Sequence, residues 1–116
     1  MRKIERQISQ ALNTPGMALN SGNTTVDWTD DQTRTDVRFH GHLIASIHWA
    51  DQIVWVSDCG YQTATTKARL NCILQAVGGR ASIHQSDFVW YLTRGLDATE
   101  ADVTEMQRTA SYCVSL

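Results

Sequence analysis

The chain has 116 residues, of which 42% are hydrophobic and 19% are charged, and its formal net charge at pH 7 is −2. This length suits one core, so we expect a single domain over residues 1–116, and the charge argues against a surface built for duplex DNA. No apolar run is long enough to predict a membrane span, and three cysteines without a C-x-x-C pair favour a reducing cytoplasm.

The first predicted element is a helix over residues 2–12. Its apolar side chains recur at the spacing of one helical face, at Ile4, Ile8, Ala11 and Leu12. The helix should end at Asn13-Thr14-Pro15-Gly16, because the residue before a proline leaves the helical region of backbone space. A second group of turn residues follows at Asn20-Ser21-Gly22-Asn23.

Four strands are predicted next from alternating hydrophobicity and from β-branched and aromatic residues. Their bounds are Thr24–Trp28, Thr35–His40, Leu43–Trp49 and Ile53–Val56. A turn at His40-Gly41-His42 should separate the second strand from the third, because a mean strand has only about 5–6 residues. Alternation puts Leu43, Ala45, Ile47 and Trp49 on the inward face of the third strand. The fourth strand is apolar throughout, which predicts a central strand covered on both faces.

The clearest helix of the sequence covers residues 63–77. Its apolar stripe has the spacing of one helical face, at Leu70, Ile73, Leu74 and Val77. Thr63 is the expected N-cap, because its hydroxyl can accept a hydrogen bond from the amide of Thr65 or Thr66. Gly78-Gly79 supplies a left-handed exit.

Two more strands and a third helix complete the prediction. The strands are Ala81–Gln85 and Phe88–Thr93, joined by a turn at Ser86-Asp87. The helix should begin near a capping-box variant at Asp97-Ala98-Thr99-Glu100 and bury Val103, Met106, Ala110 and Val114. The order α-ββββ-α-ββ-α predicts an α+β fold with a largely antiparallel sheet of about 5–6 strands and helices on one face. The 63–77 helix should pack on a sheet that contains both Ile53–Val56 and Phe88–Leu92.

Hydroxyls and cations crowd the start of the 63–77 helix and form a candidate site: Tyr61, Thr63, Thr65, Thr66, Lys67 and Arg69. The free amides and the dipole of a helix start attract anions. Two cations at this end are unfavourable by about 0.3–1 kcal/mol each unless an anion is present. The spacing is not that of a P-loop. The cluster therefore predicts a site for a phosphate or another acidic group; the alternative is a solvated cap whose cations only keep the helix soluble.

Other candidate chemistry rests on one cysteine and the histidines. Cys59 follows a strand, where nucleophiles are often mounted, but no histidine stands in a local catalytic motif with it. We therefore predict a structural cysteine and no enzymatic activity. His40 and His42 would share one face of a straight strand and, with His48 or Cys59, suit zinc. Surface histidines beside a hairpin are the favoured interpretation, so we predict no metal and no other cofactor.

The four tryptophans have two interpretations. With neighbouring cations they would make a stacking platform for single-stranded nucleic acid. Trp28, Trp49 and Trp90 fall on predicted inward faces, however, so packing in the core is favoured, and Trp55 lies in the predicted central strand.

Three segments together resemble a known group of proteins: Ser21–Val26, His40–Ala45 and Gly60–Asn71. The pattern G-N-T-x-V, H-G-x-x-I-A and G-x-x-T-x-T-T-[KR]-x-R-[LIV]-N is similar to that of small uncharacterised proteins of bacteriophages and prophages. The likeness covers about residues 20–94. Residues 80–87 and the acidic stretch after Gly95 depart from the pattern, which leaves the last helix least supported.

The resemblance implies an accessory phage gene product in the cytoplasm of a host bacterial cell. Phage proteins of this size are often stoichiometric inhibitors of host defence, including anti-CRISPR proteins. Our leading hypothesis is thus a non-enzymatic inhibitor that binds a host protein or nucleoprotein complex. The alternative is a binder of a nucleotide or of single-stranded nucleic acid through the anion site at the start of the 63–77 helix.

Overall fold

The computed structural model describes residues 2–95 and 102–116 and gives that part of the chain two helices and nine strands. The elements in chain order are α1 (Lys3–Leu12), β1 (Leu19–Ser21), β2 (Thr24–Trp28), β3 (Arg34–Phe39), β4 (His42–His48), β5 (Ile53–Ser57), α2 (Ala64–Ala76), β6 (Ala81–Ser86), β7 (Val89–Arg94), β8 (Asp102–Glu105) and β9 (Ser111–Ser115). The α+β class and the antiparallel pairing are confirmed.

The strands form two sheets. The larger one has six strands in the order β1-β2-β3-β4-β5-β9, and the smaller one has three in the order β6-β7-β8; every pairing is antiparallel. The expectation that Ile53–Val56 and Phe88–Leu92 share a sheet is therefore wrong. One hydrophobic core nevertheless includes buried residues of both sheets, such as Val54 and Leu92.

Helix α2 provides the centre of this core. Leu70, Ile73 and Leu74 are fully buried, which confirms the predicted apolar face, and the helix contacts α1, β4 and β6. Its Asn71 side chain also covers the edge of the small sheet: Nδ2 donates to the carbonyl of Ile83 at 2.9 Å, and the amide of Ile83 donates to Oδ1 at 2.8 Å. This pair of hydrogen bonds ties α2 to the small sheet and covers backbone groups that an open edge would leave unpaired.

The predicted third helix is wrong. Its proposed capping residues, Asp97 to Glu100, lie outside the described residues, but the remainder forms β8 and β9. β9 pairs with β5 along its length, from Ile53 opposite Ser115 to Ser57 opposite Ser111. The backbone of β5 would otherwise face an open edge, and β-branched and aromatic residues such as Tyr112 and Val114 suit a strand. This distant partner outweighs the local helical spacing.

Two-residue turns join several of the strands, with positive φ at both positions, as in type I′ turns. They are Gly22-Asn23 between β1 and β2, His40-Gly41 between β3 and β4, and Asp87-Phe88 between β6 and β7. The predicted turn at His40-Gly41 is confirmed. Phe88, which the sequence placed in a strand, lies in a turn with 92% of its surface exposed.

Tryptophan packing follows the prediction at three positions. Trp28 and Trp49 stack with ring centroids 5.4 Å apart, and Trp28 Nε1 donates to the carbonyl of Ala11 at 3.1 Å. Trp90 is buried. Trp55 is 41% exposed, because β5 has strands on both sides but only one covered face, so the prediction of a strand covered on both faces is wrong.

In the described part of the chain, neither helix has the length and apolar character needed to cross a bilayer.

Candidate functional site

A cavity of about 680 Å³ opens at one end of the six-stranded sheet. Four segments line it: the β1–β2 turn, the β3–β4 turn with its flanking residues, the loop from β5 to α2, and the first turns of α2. We call it the Arg69 cavity. Its volume lies within the roughly 300–1,000 Å³ that is usual for small-molecule sites.

The two hairpin turns are fixed to each other. The amide of His40 donates to the carbonyl of Asn23 at 2.8 Å, which joins the β3–β4 turn to the β1–β2 turn. Asn23 and His40 both have positive φ and both line the cavity. Asn and His are both among the residues that adopt this conformation more often than most, and the pairing of the flanking strands supports it. This part of the wall is thus formed by two turns that a backbone hydrogen bond holds together.

A β-bulge next to the turn redirects one side chain into the wall. Val37 pairs with Ala45, but Arg38 pairs with Leu43, which leaves Ile44 as the extra residue of β4. A bulge turns the strand and changes which face a side chain takes. Ile44 is therefore buried and lines the cavity, whereas Leu43 is 41% exposed. The predicted inward position of Leu43 is wrong, because strict alternation does not continue through a bulge.

The loop from β5 to α2 is held by Asp58, which is fully buried. Its Oδ1 accepts hydrogen bonds from the amides of Gly60 at 2.7 Å and Thr109 at 2.9 Å, and its Oδ2 accepts one from Gln62 Nε2 at 2.9 Å. These donors satisfy the carboxylate and fasten the loop to the segment between β8 and β9. Cys59 follows with positive φ, and its thiol donates to the carbonyl of Leu43 at 3.0 Å. The loop can therefore hold Tyr61 and Thr63 at fixed positions on the cavity wall.

The start of α2 is capped as predicted. Thr63 has an extended backbone, and its Oγ1 accepts a hydrogen bond from the amide of Thr66 at 3.2 Å. The Thr66 hydroxyl lies 3.0 Å from the Thr63 hydroxyl. The geometry of a helix start leaves the preceding amides, those of Ala64 and Thr65, without intrahelical acceptors. Because Thr63, Thr65 and Thr66 line the cavity, this polar end of the helix lies against it.

Arg69 is the most unusual group in the cavity wall. Only 6% of its surface is exposed. Its Nε donates to Thr24 Oγ1 at 3.2 Å, and its guanidinium carbon lies 5.5 Å from the centre of the Phe39 ring, a cation–π distance. Its Nη1 is buried and has no hydrogen-bond partner among the described residues, and no ion pair there includes it. A guanidinium stays charged in a protein, so the cavity wall contains a buried cation that forms no ion pair among the described residues.

Five of the six residues proposed from the sequence line the cavity: Tyr61, Thr63, Thr65, Thr66 and Arg69. Lys67 is half-buried and does not line it. The interpretation of Arg69 as a solvated cation is wrong, since α2 packs it between Thr24 and Phe39. The sequence did not assign the opposite wall, which includes Gly22, Asn23, Phe39, Ile44 and Asp58.

Most of the cysteine and histidine residues considered from the sequence lie in the Arg69 cavity. Cys59, His40 and His42 line the cavity, while His48 lies at the other end of β4, beside Ser46. In residues 2–95 and 102–116, no three acidic, histidine or cysteine side chains are grouped as metal ligands would be. The three cysteines are free thiols, and burial raises the pKa of Cys72, which lies outside the cavity.

The fold and the cavity define a small α+β protein with a ligand-sized concave site and, in its wall, a buried cation that has no ion pair in the described structure. Residues 1–111 match the family described as Kyanoviridae Gp96 protein. The chain belongs to this family, which is a phage protein family, so the phage character implied by the sequence resemblance is confirmed. Neither a curated protein nor a solved structure matches the chain.

Proposed function

We propose that this phage protein acts by binding, without catalysis, and that the Arg69 cavity is its working site for an anionic ligand. One observation carries the proposal: Arg69 is 6% exposed and its Nη1 has no partner in the described structure. Burial of an ion costs several kcal/mol even after relaxation of the surroundings. A bound anion would offset this cost, so the free protein holds a site prepared for a negative charge.

The chemistry of the wall favours phosphate as the anionic group. The guanidinium is a planar fork that can hold two oxygens of a phosphate or carboxylate. The start of α2 adds hydroxyls at Thr63 and Thr65 and a positive dipole end. The one carboxylate of the wall, Asp58, accepts hydrogen bonds from three protein donors, which partly neutralise it. Several donors around one buried cation suit the several oxygens of a phosphate.

A small molecule fits the shape better than the surface of a large partner does. The site is a cavity of ligand size, and its cation is at depth. Uptake of a phosphorylated molecule would let an accessory protein act in the host cytoplasm with no catalytic residues. We therefore place ligand binding before the hypothesis that led from the sequence, which was inhibition of a host protein or nucleoprotein complex.

The inhibitor hypothesis keeps one specific observation in its favour. Trp55 and Leu43 are each 41% exposed on the outer face of the six-stranded sheet, and aromatic residues contribute much of the energy of protein interfaces. If a host protein binds there, Trp55→Ala should abolish its capture from a bacterial lysate, with or without nuclease, while ligand binding in the cavity is unchanged. Capture that survives this substitution would argue against the outer face as the interface.

The direct test is the response of thermal unfolding to inorganic phosphate. Phosphate should raise the midpoint of the wild-type protein, and the rise should grow with the logarithm of the phosphate concentration above its dissociation constant. The rise should shrink as added chloride screens the charges. Arg69→Met should lose the response. Arg80→Met is the matched control, because Arg80 is exposed and lies outside the cavity. An equal phosphate response in wild type and Arg69→Met would refute the proposal, because phosphate would then act on the protein in general.

A further inference from the structure

We infer that the ligand of the Arg69 cavity is a nucleoside phosphate whose base stacks against aromatic rings at the cavity mouth. The inference rests on the proposed function and names its ligand. It depends on a second feature of the same cavity, which is the group of aromatic side chains opposite the cation.

These aromatic side chains follow a gradient of exposure. Arg69 is almost completely buried and Phe39, against its guanidinium, is half-buried. Tyr61 is 52% exposed and His42 is also exposed. The cation therefore lies at depth, and the rings of Tyr61 and His42 lie at the opening. A ligand held by its phosphate at Arg69 would extend outward between aromatic surfaces.

The rings at the opening leave a planar group something to stack on. The centroids of His42 and Tyr61 are 5.0 Å apart with their planes at 41°, so the two rings are not stacked face to face. The exposed ring of Tyr61 keeps apolar area in contact with water, which is unfavourable. A nucleobase laid on Tyr61 would remove that area from water, and every base offers a flat π face.

Polar side chains occupy part of the remaining wall, next to Ile44 and Gly22. Asn23, Thr63 and Thr65 line the cavity and offer the hydroxyl and amide groups that sugar hydroxyls bind. A bare phosphate would fill a small part of about 680 Å³, whereas a nucleotide carries an anion, a polar sugar and an aromatic base. These three parts correspond to the three kinds of surface in the cavity.

The test compares ligands that share the phosphate and differ in the base. Calorimetric titration would use ribose 5-phosphate and the four ribonucleoside 5′-monophosphates, with a short single-stranded oligonucleotide as a separate arm. Stacking of one base is worth about 1–3 kcal/mol, which corresponds to roughly 5- to 140-fold in affinity. At least one nucleotide should bind more tightly than ribose 5-phosphate by a factor in this range. Tighter binding of the oligonucleotide would support the same recognition with a nucleic-acid strand as the source.

Variants assign the effect to residues. Tyr61→Ala should bring the affinity for the nucleotide down to that for ribose 5-phosphate measured on the same variant, since the stacking surface is lost. Phe88→Ala is the control, because Phe88 is an exposed aromatic residue outside the cavity. Bound nucleotide should also slow alkylation of Cys59, which lines the cavity, and leave Cys72 and Cys113 unchanged.

The possible results distinguish failure of the nucleotide inference from failure of the proposed anion site. If ribose 5-phosphate and all nucleotides bind equally well, or if Tyr61→Ala leaves the preference intact, the inference is wrong and the anion site remains. If no phosphate compound binds and Arg69→Met responds to phosphate as the wild type does, both are wrong.

Discussion

Replacement of Arg69 by methionine should separate ligand binding from stability. Methionine matches the stem of arginine in shape and packs adaptably, so it can remain between Thr24 and Phe39 without the charge. If Arg69 is kept for a ligand, its removal should abolish anion binding and leave the free protein as stable as before or more so. If it is kept for structure, its removal should weaken the fold.

The contacts of Arg69 set the expected magnitude. The substitution removes the hydrogen bond to Thr24, worth about 1.5–3 kcal/mol for a charged donor. It also removes the cation–π contact with Phe39, worth about 0.5–2 kcal/mol. Against these losses, it removes the burial of a cation that has no ion pair in the described structure, and burial of an ion costs several kcal/mol. The free energy of unfolding should change by between zero and a gain of about 3 kcal/mol.

Urea denaturation with and without phosphate measures both properties at once. At a phosphate concentration about 100 times its dissociation constant, the wild type should gain about 2.7 kcal/mol and Arg69→Met nothing. Arg69→Lys is a useful comparison, because it keeps the charge and loses the planar fork, and should be the least stable of the three without phosphate. The reasoning is refuted if Arg69→Met loses more than about 2 kcal/mol without phosphate, since arginine would then be needed for the fold itself.

Other predictions follow from single residues. Ile73→Asp places a carboxylate in the core, so a cooperative urea transition should be absent; a normal transition would contradict the packing. Asp58→Ala removes the acceptor of the part-buried amides of Gly60 and Thr109 and should cost about 1–3 kcal/mol by the same measurement, and a loss below about 1 kcal/mol would show that the loop holds without it. Phe88→Gly relieves a positive φ and should gain about 0.5–1 kcal/mol, whereas a loss would indicate a contact of Phe88. Hydrogen bonds, of which that from Thr29 is the largest cause, lower the pKa of Asp31 below its ordinary value of 3.8. The carboxylate therefore stabilises the fold at a pH above 3.8, and this stabilisation is lost as the pH falls through the lowered pKa. The Asp31→Asn variant should lack this acid-dependent loss in thermal melts.

Local sequence signals predicted the elements that short-range physics determines. The stripe of Leu70, Ile73 and Leu74 identified α2 because helical spacing repeats within a few residues. Thr63 identified its start, since a cap bonds only to amides in its own turn. The His40-Gly41 turn was predicted correctly for the same reason. Each of these predictions needed only contacts within one segment.

Predictions that depended on distant partners were wrong. The last helix is two strands, because β9 completes an edge of β5 that lies more than fifty residues earlier in the chain. Leu43 is exposed because the pairing of β3 with β4 contains a bulge, and Trp55 is exposed because the outer face of the sheet has no covering layer there. A hydrophobic pattern states that a residue can be buried, and only the partner strands decide whether it is.

The candidate site shows the same division. The sequence by itself determined a capped helix start with hydroxyls and cations, and it marked the three segments that resemble phage proteins. Each of those segments contributes to the wall of one cavity. They lie side by side because of the hairpin turns, the bulge and the hydrogen bonds that Asp58 accepts. Tertiary structure alone decided that Lys67 stays outside the cavity while Arg69 is buried beside Phe39 without an ion pair in the described part of the chain. Burial is a property of everything packed around a side chain, and for this arginine it turns an ordinary helix cation into a candidate anion-binding group.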